Sequence, residues 1–161
     1  MRIKTLGATA AAVAATAIVG GAATSRDVNS PWYAQLRKPS YQPPPKVFPI
    51  VWPLLYTDIA LVSTDSIDHL ADSGDEQAAR SYSAALGLNL VLNAGWSWVF
   101  FNRHRPGLAA LTAGALTASS LDLTRRAVQT RGRRAAPLAA YPAWCAFATV
   151  LSTHIWWLNR R

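Results

Sequence analysis

The chain has 161 residues, of which 51% are hydrophobic and only 15% charged, against roughly 25% charged in an ordinary soluble domain. That balance excludes intrinsic disorder, which needs few apolar groups and many charges, and it argues against a small soluble enzyme. The formal net charge is +8, but Lys and Arg sit in short clusters between apolar stretches (Arg37 and Lys38, Arg103 and Arg105, Arg125 to Arg134, Arg160 and Arg161). This is the placement of charged caps on membrane segments; no nucleic-acid recognition motif accompanies it, so the partner it points to is a lipid bilayer and not nucleic acid.

Five apolar stretches, at residues 6–23, 47–63, 82–101, 108–123 and 137–158, each approach the roughly 20 residues an α-helix needs to cross a bilayer core. They predict an all-α fold, an integral membrane bundle of five transmembrane helices forming one domain over residues 1–161. The first stretch has a second reading. Met1 to Lys4 is basic, the following run is Ala-rich, and Gly21, Ala22 and Ala23 are small, as in a cleaved signal segment. Gly20, Gly21 and the alanines equally suit a helix face packed against its neighbours.

Residues 24–46 follow, with Pro31, Pro39, Pro43, Pro44 and Pro45 and the aromatic residues Trp32, Tyr33 and Tyr41. The prolines restrict the backbone and the rings anchor it at the membrane surface, so this loop is expected to form an ordered cap over one end of the bundle. The second stretch places Trp52 and Tyr56 one helical turn apart and holds Asp58, an ionisable group at a costly depth that marks a functional position.

Residues 64–80, with Asp65, Asp68, Asp72, Asp75 and Glu76 around Gly74, read as a solvated acidic turn. The ordered ligand pattern of a calcium loop is missing, and no metal site is assigned. In the third stretch Asn89, Asn93, Trp96 and Phe100 recur at helical spacing and share a face. Two amides cannot face lipid without losing hydrogen bonds, so that face looks into the bundle, either as a clamp between helices or as a ligand contact. The fourth stretch spaces Ala110, Gly114 and Ala118 four apart, which suits close helix packing within the chain or a homodimer, and Asp122 can pair with Arg125 and Arg126.

The fifth stretch carries Tyr141, Cys145 and Ala148 on one face, beside Trp144 and Ser152. His154 near its end reads as an interfacial residue or a haem ligand, and His104, between two arginines, as solvated. Of the seven Trp, all but Trp144 fall toward the end of the bundle that holds the first loop. Rings for stacking with a few hydrogen-bonding groups suit either a flat, largely apolar ligand between helices or a well-packed core. Lys and Arg divide equally between the two sides of a five-span topology and do not orient it.

Four blocks carry a family resemblance: W-Y-A-Q-L-R-K-P-S-Y-Q-P-P from Trp32, V-F-P-I-V-W-P-L-L-Y ending at Tyr56, L-N-A-G-W-S-W-V-F-F ending at Phe101 with R-P-G after it, and Y-P-A-W-C-A-F-A-T from Tyr141 followed by W-L-N. In this order they resemble the TspO/MBR family, the tryptophan-rich sensory proteins of bacteria and the mitochondrial translocator protein, over nearly the whole chain. The resemblance implies five transmembrane helices around a ligand cavity capped by the first loop, with porphyrin or haem as ligand and no required cofactor. It places Trp32, Trp52, Tyr56, Asn93, Trp96, Tyr141 and Trp144 on motif positions that line or close that cavity. Trp52 and Trp144 match the two Trp implicated in light-dependent porphyrin breakdown by some bacterial members.

The chain departs from the family pattern at several points. Tyr41 stands where Trp is usual, Trp98 where Pro is common, Ser152 where Asn is common, and Asp58 at a typically apolar position. Pro142 follows Tyr141 where the family generally has Pro before it, which is expected to shift the kink of the fifth helix and with it Trp144. The late Tyr of the mitochondrial sterol motif is absent. The resemblance therefore implies a tetrapyrrole-binding sensor, carrier or regulator, with porphyrin degradation or a partner-binding module as the rival readings.

Overall fold

The computed structural model describes residues 1–160; Arg161, half of the C-terminal basic pair, lies outside the described residues. All regular structure among them is helical: α1 (Ile3–Asp27), a short α2 (Pro31–Gln35), α3 (Phe48–Asp72), α4 (Glu76–Ser97), α5 (Pro106–Arg131) and α6 (Ala140–Asn159). A 3₁₀ turn, Pro45–Val47, leads into α3, a π turn, Trp98–Asn102, extends α4, and a 3₁₀ run, Gly132–Ala139, joins α5 to α6.

Four stretches of helix are long and apolar enough to cross a membrane: Ile3–Asp27, Pro45–Asp72, Glu76–Asn102 and Pro106–Asn159. The last holds two of the five long helices. Gly132, at φ +58, takes the left-handed conformation that ends α5 and that glycine adopts without steric cost, and α6 then folds back along α5. Thr117 and Thr149 are hydrogen-bonded across that pair at 2.9 Å. Gly107 allows its closest approach, because a Cβ there would lie 2.8 Å from Trp156 Nε1. Gly114 faces Thr149 Cγ2, so this part of the small-residue row serves packing within the chain.

Around that hairpin, α4 packs on α5, while α1 packs on α3 and α4 with Gly20 against Ser97. The core is closed by fully buried Ile59, Tyr82, Leu123, Leu138 and Tyr141. Leu54, Val91 and Leu111 point outward, each about two-thirds or more exposed, as expected of a surface that meets lipid. Direct contact between α3 and α6 is slight.

The expected acidic turn at 64–80 is a correction. Helix α3 continues to Asp72, and α4 starts at Glu76 under an Asp75 cap whose Oδ1 accepts the Ala78 N–H at 2.9 Å; only 73–75 turns, with Gly74 at φ +80. The acidic side chains extend the helix because each finds a partner. Thr64 bonds Thr9 at 2.6 Å, Asp68 accepts the Arg2 backbone N–H, Asp72 pairs with the Arg2 guanidinium, and Asp65 meets Arg131 Nε at 2.6 Å. Asp122 pairs with Arg125 and Arg126, as their spacing predicts.

Candidate functional site

The loop between α1 and α3 is ordered in two halves. In the first, Ser30 caps α2 by accepting the Tyr33 N–H at 3.2 Å, and Pro31 occupies the first helical position, where its missing N–H costs nothing. This turn sets Trp32 and Tyr33 over the end of α4. There the π turn places Phe100 and Phe101 both inward, at 3% and 7% exposure; a widened turn of this kind is frequent at functional sites. Trp32 meets Phe100 edge-on at 5.8 Å, and Tyr33 meets Phe101 at 5.7 Å.

Trp32 also stacks face to face on His104, with centroids 4.0 Å apart and 18° between the planes. His104 Nε2 lies 2.6 Å from Asp27 Oδ2, so one imidazole ties the end of α1 to the cap and to the turn before α5. The residue adopts φ 50, a left-handed conformation uncommon outside glycine. It stays exposed, as its place between two arginines predicts, and the stacking and the Asp27 contact are added to that. Lys38 Nζ sits 3.9 Å over the Tyr33 ring, and burial lowers the pKa of its ammonium and raises that of the Tyr33 phenol.

The second half, residues 37–48, runs down α6 as a strap. Asn159 grips the Arg37 backbone twice, accepting its N–H and donating to its carbonyl, both at 2.9 Å. Further along, Tyr41 Oη and His154 Nδ1 are 3.0 Å apart, and the Tyr41 ring meets Phe147 at 6.4 Å. Phe48 then lies edge-on to Trp144 at 5.9 Å. Strap residues in ascending order thus meet α6 residues in descending order, beside the seam where α3 and α6 touch only slightly.

Within that seam a chain of hydrogen bonds links four helices. Tyr56 Oη donates to Asn93 Oδ1 at 2.8 Å, Asn93 Nδ2 donates to Tyr141 Oη at 3.0 Å, Tyr141 Oη donates to Asn89 Oδ1 at 2.9 Å, and Asn89 Nδ2 donates to Ser119 Oγ at 3.2 Å. Asn89, Asn93 and Tyr141 are buried, where an unpaired amide is costly. The two amides thereby join α4 to α3, α5 and α6. Trp52 stacks on Tyr56 at 5.3 Å, and Trp144 packs against Phe147 at 5.5 Å.

The structure thus gathers Trp52, Tyr56, Tyr141 and Trp144 on one apolar core, with Asn93 bonded into it. Trp96 and Trp32 belong to a neighbouring cluster with Phe100 and Phe101 beneath the cap, and Trp96 Nε1 donates to Ser152 Oγ at 3.3 Å. The seven residues thus fall in two packed groups, five around the Tyr56, Asn93 and Tyr141 hydrogen bonds and two beneath the cap. A cavity of about 430 Å³ lies instead on the outer face of α6, beside Tyr41, His154 and Trp157, and another of about 400 Å³ at the opposite end, beside His69, Tyr82 and Arg126.

Sequence reasoning missed Phe48, Phe147, His104 and the Asn159 grip. Phe48 and Phe147 lie inside the motif blocks and carried a signal; the grip uses the Arg37 backbone, which carries none. Pro142 falls in the first turn of α6, where its missing N–H interrupts no bond within that helix. Asp58 is half-buried and stands outside the hydrogen-bonded chain.

A profile of the TspO/MBR family matches residues 8–158. The chain belongs to the TspO/MBR family. It is 30% identical over 159 residues to the tryptophan-rich protein TspO of Archaeoglobus fulgidus, with 99% of each chain covered. Similarity to the translocator protein of Sus scrofa is 31% over 153 residues, covering 86% of this chain and 82% of that one. A tryptophan-rich protein TspO of Chlorobaculum tepidum is 31% identical over 129 residues, 80% of this chain and 79% of the relative. The TspO/MBR fold here is an integral membrane protein, with helices of membrane-crossing length and apolar side chains on their outer faces.

Proposed function

We propose that this TspO/MBR protein crosses the membrane five times and binds a tetrapyrrole in the seam between α3 and α6, acting as a sensor, carrier or regulator. The observation that carries the reading is the assembly under the strap. Two Trp, Trp52 and Trp144, flank a polar spine of Tyr56, Asn93 and Tyr141 where α3 and α6 touch only slightly and the strap runs along α6. Flat conjugated rings stack on indoles, and a few convergent polar groups among apolar walls fix orientation. Because the cluster is closed, binding exchanges the contacts of Phe48 and Tyr41 for contacts with the ligand, and the strap moves outward.

A dark titration of the purified protein in detergent with protoporphyrin IX, followed by its main absorption band, tests this. Saturable binding at one ligand per chain, accompanied by faster proteolysis within 37–48, is the expected result. A band that grows linearly with ligand, as in empty micelles, overturns it. An illuminated arm of the same titration separates binding from breakdown by whether a new product forms.

A further inference from the structure

Of the eight acidic residues, Asp27 alone lies at the cap end, and it is engaged with His104. Against it stand Arg26, Arg37, Lys38, Lys46, Arg103 and Arg105, with Arg160 at the end of α6. None of these cations forms an ion pair among the described residues. Lys38 lies over the Tyr33 ring and Arg160 over Trp156 and Trp157, contacts that leave their charge in place. All except Lys38 are exposed.

At the opposite end the basic residues stand among carboxylates, with Arg2, Arg125, Arg126 and Arg131 in ion pairs with Asp72, Asp122 and Asp65. The helices hold the two ends on the order of 35 Å apart, several screening lengths at physiological salt. The cap end therefore carries its own uncompensated positive field. Such a field beside low-dielectric walls concentrates anions and speeds their arrival, and Arg presents a fork that suits carboxylates.

We propose that the cap end is a collecting surface for amphiphiles that bear two carboxylates, its exposed Arg103 and Arg105, with Lys38, drawing in the acid groups of a tetrapyrrole before its ring enters the seam. This rests on the ligand reading above and adds to it a chemical selectivity, free diacid over neutral ester.

The test is stopped-flow tryptophan quenching in zwitterionic detergent, in the dark, with protoporphyrin IX and with its dimethyl ester, at about 20 mM and about 500 mM salt. The proposal expects the association rate of the diacid to fall about tenfold between the two salts, and about as much at low salt in Arg103→Glu with Arg105→Glu. It expects the ester to respond to neither change. The control is Arg133→Glu with Arg134→Glu, the same charge change on exposed residues of the far end, which should leave the diacid rate within about twofold. A diacid rate indifferent to salt, an ester with the same salt dependence, or equal losses in the two double variants overturns the collecting surface and leaves the seam reading standing. Saturable quenching by neither probe overturns both.

Discussion

At the far end of the bundle Asp65, Asp68 and Asp72 are each matched to a cation or an N–H brought from another helix, and the helices run almost into one another through a three-residue turn. At the cap end the cations are left without carboxylates, and order comes from stacking of Trp32 on His104, from the Phe100 and Phe101 pair, and from the Asn159 grip on the strap. Ion pairs that lock helix ends suit a fixed base. Rings and two hydrogen bonds to one backbone residue suit a segment that must lift. On the proposed ligand reading the difference gives rigidity to one end and access to the other, with the Tyr56, Asn93 and Tyr141 spine as the boundary between them.

The largest expected effect is at that boundary. Asn93→Leu leaves the Tyr56 hydroxyl without its acceptor and Tyr141 with Asn89 alone, and should cost about 2–3 kcal/mol, read as a lower thermal midpoint in detergent; a change within the error of the wild type would remove the spine from the account. Next comes the fixed base. Arg131→Gln leaves a partly buried Asp65 carboxylate unmatched, and after discounting for solvent screening the loss is about 1 kcal/mol, with proteolysis of the strap unaltered. If the strap instead becomes more labile, the two ends are coupled and the division fails.

Comparable in stability but opposite in location is Asn159→Ala. It removes both bonds to Arg37 and should cost under about 1.5 kcal/mol while exposing residues 37–48 to protease several-fold faster. Protection equal to wild type would show that stacking alone holds the strap. The smallest effect belongs to Arg2→Ala, whose ion pair with Asp72 is more than half exposed on both sides. It should change the thermal midpoint by less than the equivalent of about 1 kcal/mol, and a larger loss would mean that the base depends on its outermost pair.

The long apolar runs made the helices legible, because the length of a membrane-crossing helix is set by the bilayer and not by tertiary contacts. Their ends were less so. Residues 64–72 look like a loop until Asp65 is matched with Arg131, 66 positions away, a pairing only the folded chain reveals. The inward face of Asn89 and Asn93 followed from helical spacing, yet their bonds to Tyr56 and Tyr141 depended on where α3 and α6 place those hydroxyls. The motif blocks marked Trp52, Tyr56 and Trp144 as one site by resemblance. His104 is exposed as expected, but its contact with Asp27 was hidden because that residue stands 77 positions earlier. The register of the strap was hidden for a different reason: Asn159 holds backbone atoms, and any residue at position 37 other than proline presents the same pair.

The most direct test of the central claim, that a ligand stacks between Trp52 and Trp144 in the seam, is the equilibrium affinity for protoporphyrin IX in the dark. It is measured by tryptophan quenching with inner-filter correction, on the wild type and on Trp52→Phe with Trp144→Phe. The account predicts saturable quenching in the wild type and at least about a tenfold weaker affinity in the variant, the equivalent of about 1.4 kcal/mol, with an unchanged far-ultraviolet helical signal. Equal affinity in the two proteins, with the helical signal intact, would contradict it.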